Sequence, residues 1–165
     1  MSERLPRLLL LDGDAAAQRA VAADLRRVGF AVTEMHEWRA AIEAVRSTDV
    51  PCDLIVIDPR FPDIGATGLI RALSREGRVP GPSIVILSSL DRPDEVVRML
   101  QAGADAFVGK PVLLESLRDV VFGLLREREA APRRLMRAAR SPHRGEARNP
   151  GARRSFPRVL RRLGI

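Results

Sequence analysis

An α/β protein built on a parallel β-sheet is predicted from three observations. Short apolar runs recur through the first 110 residues, helical stripes separate them, and polar residues follow nearly every run. The first run, Leu8–Leu11, gives way to Asp12. It is continuously apolar, not alternating, as expected of a strand buried on both faces of a parallel sheet. Val21, Leu25 and Val28 then fall at i, i+4 and i+7, with Gly29 as the helix stop. Ala31–Met35 is a weaker second strand, and Trp38, Ile42 and Val45 mark a second helix. The third run, Leu54–Ile57, leads into Asp58. Leu69 and Leu73 form a shorter third stripe, with Gly65 and Gly68 read as turn residues before it. Ser83–Leu87 precedes Ser88 and Ser89, and a helix through Val96, Val97 and Leu100 is entered at Pro93 and closed by Gly103. Ala106–Val108 is the last strand, Lys110 follows it, and Leu114, Leu117, Val121 and Leu124 mark the last helix. Five βα units in succession imply a parallel sheet with helices on both faces, a three-layer sandwich.

The 165 residues suit one ordinary domain, and about two-thirds of the unfolded surface is buried at this size. A single cysteine, Cys52, excludes an internal disulfide and a cysteine-rich zinc site, and points to a reducing, cytoplasmic setting. No apolar run reaches membrane-spanning length, and Asp12 ends the first one too early for a signal peptide. The net charge of +7 is unevenly spread. Residues 1–125 carry 15 basic and 18 acidic side chains, while residues 126–165 carry 13 basic and 3 acidic. Of the 28 basic residues only Lys110 is a lysine. From residue 129 onward no sustained period is visible, which predicts a mostly disordered, arginine-rich tail over 129–165. Within it Phe156, Val159, Leu160 and Leu163 share one face of a short amphipathic helix at 156–163.

In open parallel sheets chemistry gathers at the carboxyl ends of the strands. Those ends deliver Asp12 and Asp14, Asp58, Ser88 and Ser89, and Lys110. Singly, each has a plain structural explanation: Asp12 or Asp14 as a helix cap, Ser88 as a strand terminus, Lys110 as a loop lysine. Together they describe a phosphoryl-transfer site. Converging carboxylates repel unless a hard cation such as Mg²⁺ lies among them, and a hydroxyl and an ammonium suit phosphoryl oxygens. Neither a histidine metal site nor a Ser-His-Asp triad fits His36 and His143, and no glycine-rich phosphate loop is present.

The stretches Leu8–Asp12, Cys52–Gly68, Ile84–Ser89, Gln101–Ala104 and Phe107–Pro111 resemble the receiver domain of bacterial two-component response regulators over about residues 5–128. The resemblance implies a flavodoxin-like (βα)5 fold with strand order 2-1-3-4-5, and a domain over 1–128. It implies that Asp58 accepts a phosphoryl group from a histidine kinase or histidine phosphotransfer protein. Lys110 and Ser88 would bind phosphoryl oxygens, Ser89 would leave the site open, and Phe107 would be the aromatic switch that responds to Ser88. Asp12, Asp58 and the backbone carbonyl of Arg60 would hold Mg²⁺. A stand-alone receiver would signal through a downstream protein contacting residues 93–127, rather than as an enzyme.

Three departures from the family pattern stand out. Gly13 lies where receivers usually carry a second acid, and Asp14 replaces it as a ligand only with a local change of loop. The loop from Pro62 to Gly68 is about two residues longer than usual, and Phe107 lacks the hydroxyl of the common tyrosine. Weakened Mg²⁺ binding is therefore expected. Two alternatives follow. One is a pseudo-receiver that signals without phosphorylation. The other resembles a haloacid dehalogenase-type phosphohydrolase, with Asp12 as nucleophile and Asp14 as general acid; it leaves Asp58 unexplained. The basic tail suits weak electrostatic binding of nucleic acid or an anionic surface.

Overall fold

The apolar runs form strands because each is long enough to cross a sheet and too short for a buried helix. The computed structural model describes residues 4–47, 51–75, 81–89 and 93–139. The strands are β1 (Arg7–Leu11), β2 (Ala31–Met35), β3 (Leu54–Ile57), β4 (Ser83–Ser88) and β5 (Ala106–Gly109). They alternate with α1 (Ala15–Arg27), α2 (Trp38–Arg46), α3 (Ala66–Arg75), α4 (Pro93–Ala102) and α5 (Leu114–Ala139). All pairings are parallel, and the sheet order is β2-β1-β3-β4-β5, as expected. The chain divides into two units, Met1–Val121 and Phe122–Ile165, and the first contains the whole sheet.

The core is the sheet itself. Leu8–Leu11, Leu54–Ile57 and Ile84–Leu87 are all buried, which accounts for their unbroken apolarity. One covering layer is α1 with the start of α5: Leu25, Leu117 and Val121 are fully buried. Asp24 of α1 accepts hydrogen bonds from Arg27 and from Arg118 of α5, which ties the two helices together. On the other face α2 packs against α3 and α3 against α4.

Glycine ends α1 and α4 in the same way. Gly29 (φ +101°) and Gly103 (φ +127°) adopt the left-handed conformation that closes a helix. At α1 the Gly29 N–H donates to Arg26 and the Phe30 N–H to Leu25; at α4 Gly103 donates to Leu100 and Ala104 to Met99. Gly103 is under a second constraint, since a Cβ there would lie 2.8 Å from Ser74 on α3. Gly103→Ala therefore combines backbone strain with a clash. It is expected to cost about 1–3 kcal/mol, read as a lower urea midpoint at unchanged m-value.

Two local expectations are corrected. Gly68 lies inside α3, which begins at Ala66, so it is not a turn residue before the helix. The last helix continues to Ala139, through residues read above as the start of a disordered linker. Its composition explains this, because Arg, Glu, Ala, Leu and Met dominate residues 126–139 and all favour helix. The amphipathic stretch at 156–163 lies outside the described residues.

Candidate functional site

Pairing in register brings the strands to a common edge. Leu11 lies opposite Ile57, Ile57 opposite Ile86, and Ser88 opposite Gly109. Backbone bonds extend the ladders one step further. Asp12 N–H donates to Met35 (3.2 Å), Asp58 N–H to Leu11 (2.9 Å) and Lys110 N–H to Ser88 (2.9 Å). The Cα positions of Asp12, Asp58 and Lys110 are thus fixed by the sheet rather than by loops.

Asp58 is the centre of the cluster and is only 2% exposed. Its Oδ2 accepts from the Lys110 ammonium, and the same Lys110 Nζ lies 3.9 Å from Asp12 Oδ2. Arg60 binds Asp58 through three donor groups. Its backbone N–H and Nε donate to Oδ1 at 3.1 and 2.9 Å, and Nη2 donates to Oδ2 at 2.6 Å. Burial pushes the Asp58 carboxyl up, but the hydrogen bonds from Arg60 and Lys110 outweigh it and hold the group below the ordinary aspartate value. Asp58 is therefore an anion at neutral pH, and its Arg60 partner is raised by the same pairing. A buried carboxylate between two cations can attack a phosphorus atom while the cations neutralise the phosphoryl oxygens.

The other expected residues have more modest surroundings. Asp12 is buried, and its Oδ1 accepts the Asp14 backbone N–H at 2.8 Å. Asp14 turns its own carboxylate to the start of α1, accepting from Ala16 and Ala17, and these backbone bonds lower its pKa. It is an N-cap. The Ser88 hydroxyl donates to the Ser89 carbonyl at 3.2 Å, Ser89 is exposed, and Phe107 is buried in β5.

These residues do not make a Mg²⁺ cage. Asp14 is engaged as a cap, Gly13 has no side chain, and both Asp58 oxygens are already bonded to cations. Among the described residues no three His, Cys, Asp or Glu side chains are grouped so as to hold a metal ion.

Several contacts were not evident in the sequence. The family resemblance implies a role for Arg60 through its carbonyl, whereas its guanidinium is the main partner of Asp58. Gln18 is 1% exposed and donates to the carbonyls of Leu10 (2.7 Å) and Met35 (2.9 Å) behind the site. Its place in line with Val21, Ala22 and Leu25 on the buried face of α1 was the available signal. His36 Nδ1 lies 3.1 Å from the Asp12 carbonyl, which can only accept, so this nitrogen carries the hydrogen. The loop after Asp58 is held from the side, where Asp63 accepts from the Trp38 indole and from Arg39, each at 2.9 Å.

The family model of the response regulator receiver domain matches residues 8–122. The chain is 32% identical over 126 residues to transcriptional regulatory protein PrrA of Mycobacterium leprae, covering 76% of this chain and 52% of that protein. It is 33% identical over 118 residues to transcriptional regulatory protein CseB of Streptomyces coelicolor, covering 69% and 48%. The chain thus spans about half the length of the curated relatives it matches. Among solved structures, a CheY-like receiver domain protein of Methanospirillum hungatei superposes with a TM-score of 0.68 at 25% identity, over 77% of this chain and 98% of that one. A chemotaxis protein CheY4 of Vibrio cholerae superposes with a TM-score of 0.65 at 18% identity, over 73% and 98%, a likeness of fold alone. Among the described residues no helix is long and apolar enough to cross a membrane. A matching family model, a 2-1-3-4-5 sheet and an aspartate at the end of its central strand lead to one conclusion: the chain belongs to the receiver domains of two-component response regulators.

Proposed function

We propose that Asp58 is the phosphoacceptor of this receiver. Phosphorylation on aspartate is typical of the family, and receivers interact with histidine kinases or phosphotransfer proteins. The observation that carries the assignment is the buried Asp58 carboxylate, held at the edge of the sheet by the ammonium of the chain's only lysine. In the transfer an Asp58 oxygen bonds to phosphorus as the bond from phosphorus to the phosphohistidine nitrogen breaks. Lys110 and the Ser88 hydroxyl then hold phosphoryl oxygens, and Phe107 follows Ser88. The signal passes to a downstream protein through residues 93–127. The setting is cytoplasmic, and the thirteen arginines of 126–165 add weak, salt-sensitive attraction to nucleic acid or an anionic surface.

Radiolabelled acetyl phosphate tests the assignment. Wild type is expected to take up acid-stable, base-labile label, and Asp58→Asn to take up none. Label that persists in Asp58→Asn would place the acceptor elsewhere. A second reading, the pseudo-receiver, is favoured by Gly13 and by the Arg60 guanidinium lying across both Asp58 oxygens. It predicts an unlabelled wild type. Against the phosphohydrolase alternative, the carboxylate that would be its general acid, Asp14, caps α1.

A further inference from the structure

Receiver domains generally bind Mg²⁺ in their acidic pocket, yet the donor set here does not form a cage. We propose that the Arg60 guanidinium takes the place of the divalent cation, so that the buried carboxylates of the pocket are charge-balanced by the chain itself and the pocket excludes Mg²⁺. The inference deepens the receiver reading of the same site.

Four observations carry it. First, Arg60 Nε and Nη2 meet Asp58 Oδ1 and Oδ2 as a two-pronged fork, the geometry in which arginine binds carboxylate best. A metal needs one of those oxygens, and Lys110 shares Oδ2. Second, the buried charges balance: two buried carboxylates, Asp12 and Asp58, face two cations, Arg60 and Lys110, and the exposed Asp14 is a further acid that these cations feel. A divalent ion would meet two cations already placed against the buried carboxylates, and the attraction that draws it into a bare acidic pocket is reduced. Third, the missing acid is no consequence of crowding. A Cβ built on Gly13 meets nothing within 4 Å, so a side chain can start there without a clash and the chain does without one. Fourth, the neighbouring carboxylate is turned to another task, because Asp14 Oδ1 accepts two backbone N–H groups of α1. Loss of an acid at 13 and gain of a guanidinium at 60 act in the same direction. Each lowers the demand for a metal.

The test is a Mn²⁺ titration of the full chain, followed by electron paramagnetic resonance of the free ion. Wild type is expected to show no Asp58-dependent binding up to about 1 mM, where a metal-dependent acidic site of micromolar to millimolar affinity would fill. Arg60→Met, and more strongly the double variant Gly13→Asp with Arg60→Met, are expected to gain at least about tenfold in affinity. Arg60→Lys, which keeps charge without the fork, is expected to lie between wild type and Arg60→Met. Submillimolar binding by wild type that disappears in Asp58→Asn would overturn the proposal, as would a folded double variant that binds no better than wild type. Circular dichroism establishes that each variant is folded. Because the readout is metal occupancy, a failure of Asp58 to accept phosphate leaves this result standing, and the two conclusions fall separately.

Discussion

Lys110→Ala is expected to slow acetyl-phosphate labelling of Asp58 by about a hundredfold or more, and Lys110→Arg is expected not to restore it. The ammonium is bonded to Asp58 Oδ2 and lies within 3.9 Å of Asp12 Oδ2, and its side chain is only 25% exposed. Pre-placed charges of this kind contribute about 10²–10³-fold to transfer reactions, because they need no reorganisation as charge develops. Arginine fails for a geometric reason. A planar guanidinium at 110 would compete with Arg60, which already spans both oxygens of the same carboxylate, whereas a compact ammonium fits beside it. A labelling rate in Lys110→Ala equal to that of wild type would remove the lysine from the mechanism. In a chain that uses arginine at 27 of 28 basic positions, a lysine here marks a place where arginine does not serve.

The second large effect is expected at Gln18. Its amide donates to Leu10 and Met35, and the Met35 carbonyl also accepts the Asp12 N–H, so Gln18 braces the backbone directly behind Asp12. Gln18→Leu keeps the volume and deletes both donors. It is expected to lower stability by about 2 kcal/mol, because buried carbonyls lose partners, and a urea midpoint measures the loss. Gln18→Glu is worse at neutral pH, since it sets a buried carboxylate against two carbonyl oxygens. Burial raises the pKa of such an acid in the folded state above its unfolded value. The defect is therefore full at high pH and shrinks as pH falls through the folded value, where the protonated acid again donates one bond. Comparing urea midpoints at about pH 8 and about pH 5 reads the sign directly, after subtracting wild type at each pH.

The strands were legible because parallel sheets bury both faces, so Leu8–Leu11, Leu54–Ile57 and Ser83–Leu87 carry no competing polar pattern. Asp12, Asp58 and Lys110 were legible for a related reason: where the apolar run stops, a parallel sheet in register puts its polar residues side by side. Side-chain choices among local partners were not. Asp14 had both a cap and a ligand within its reach by sequence, and only the chain path beyond Gly13 decides for the cap. Arg60 is two residues from Asp58, a spacing that carries no pairing rule outside a regular element, so nothing in the sequence points to its guanidinium contact. The continuation of α5 to Ala139 was hidden by composition, since a run of Arg, Ala and Glu reads equally as low complexity or as helix.

The Trp38–Asp63 contact has an optical consequence. The chain has one tryptophan and no tyrosine, so its near-ultraviolet emission comes from a single indole. That indole N–H is bonded to a carboxylate five residues beyond Asp58, with the Arg39 guanidinium stacked 4.3 Å from the ring centroid. Any movement of the loop that follows the acceptor changes the polarity felt by the excited ring. The molecule thus carries its own fluorophore beside the site, and the state of that loop can be followed without a label.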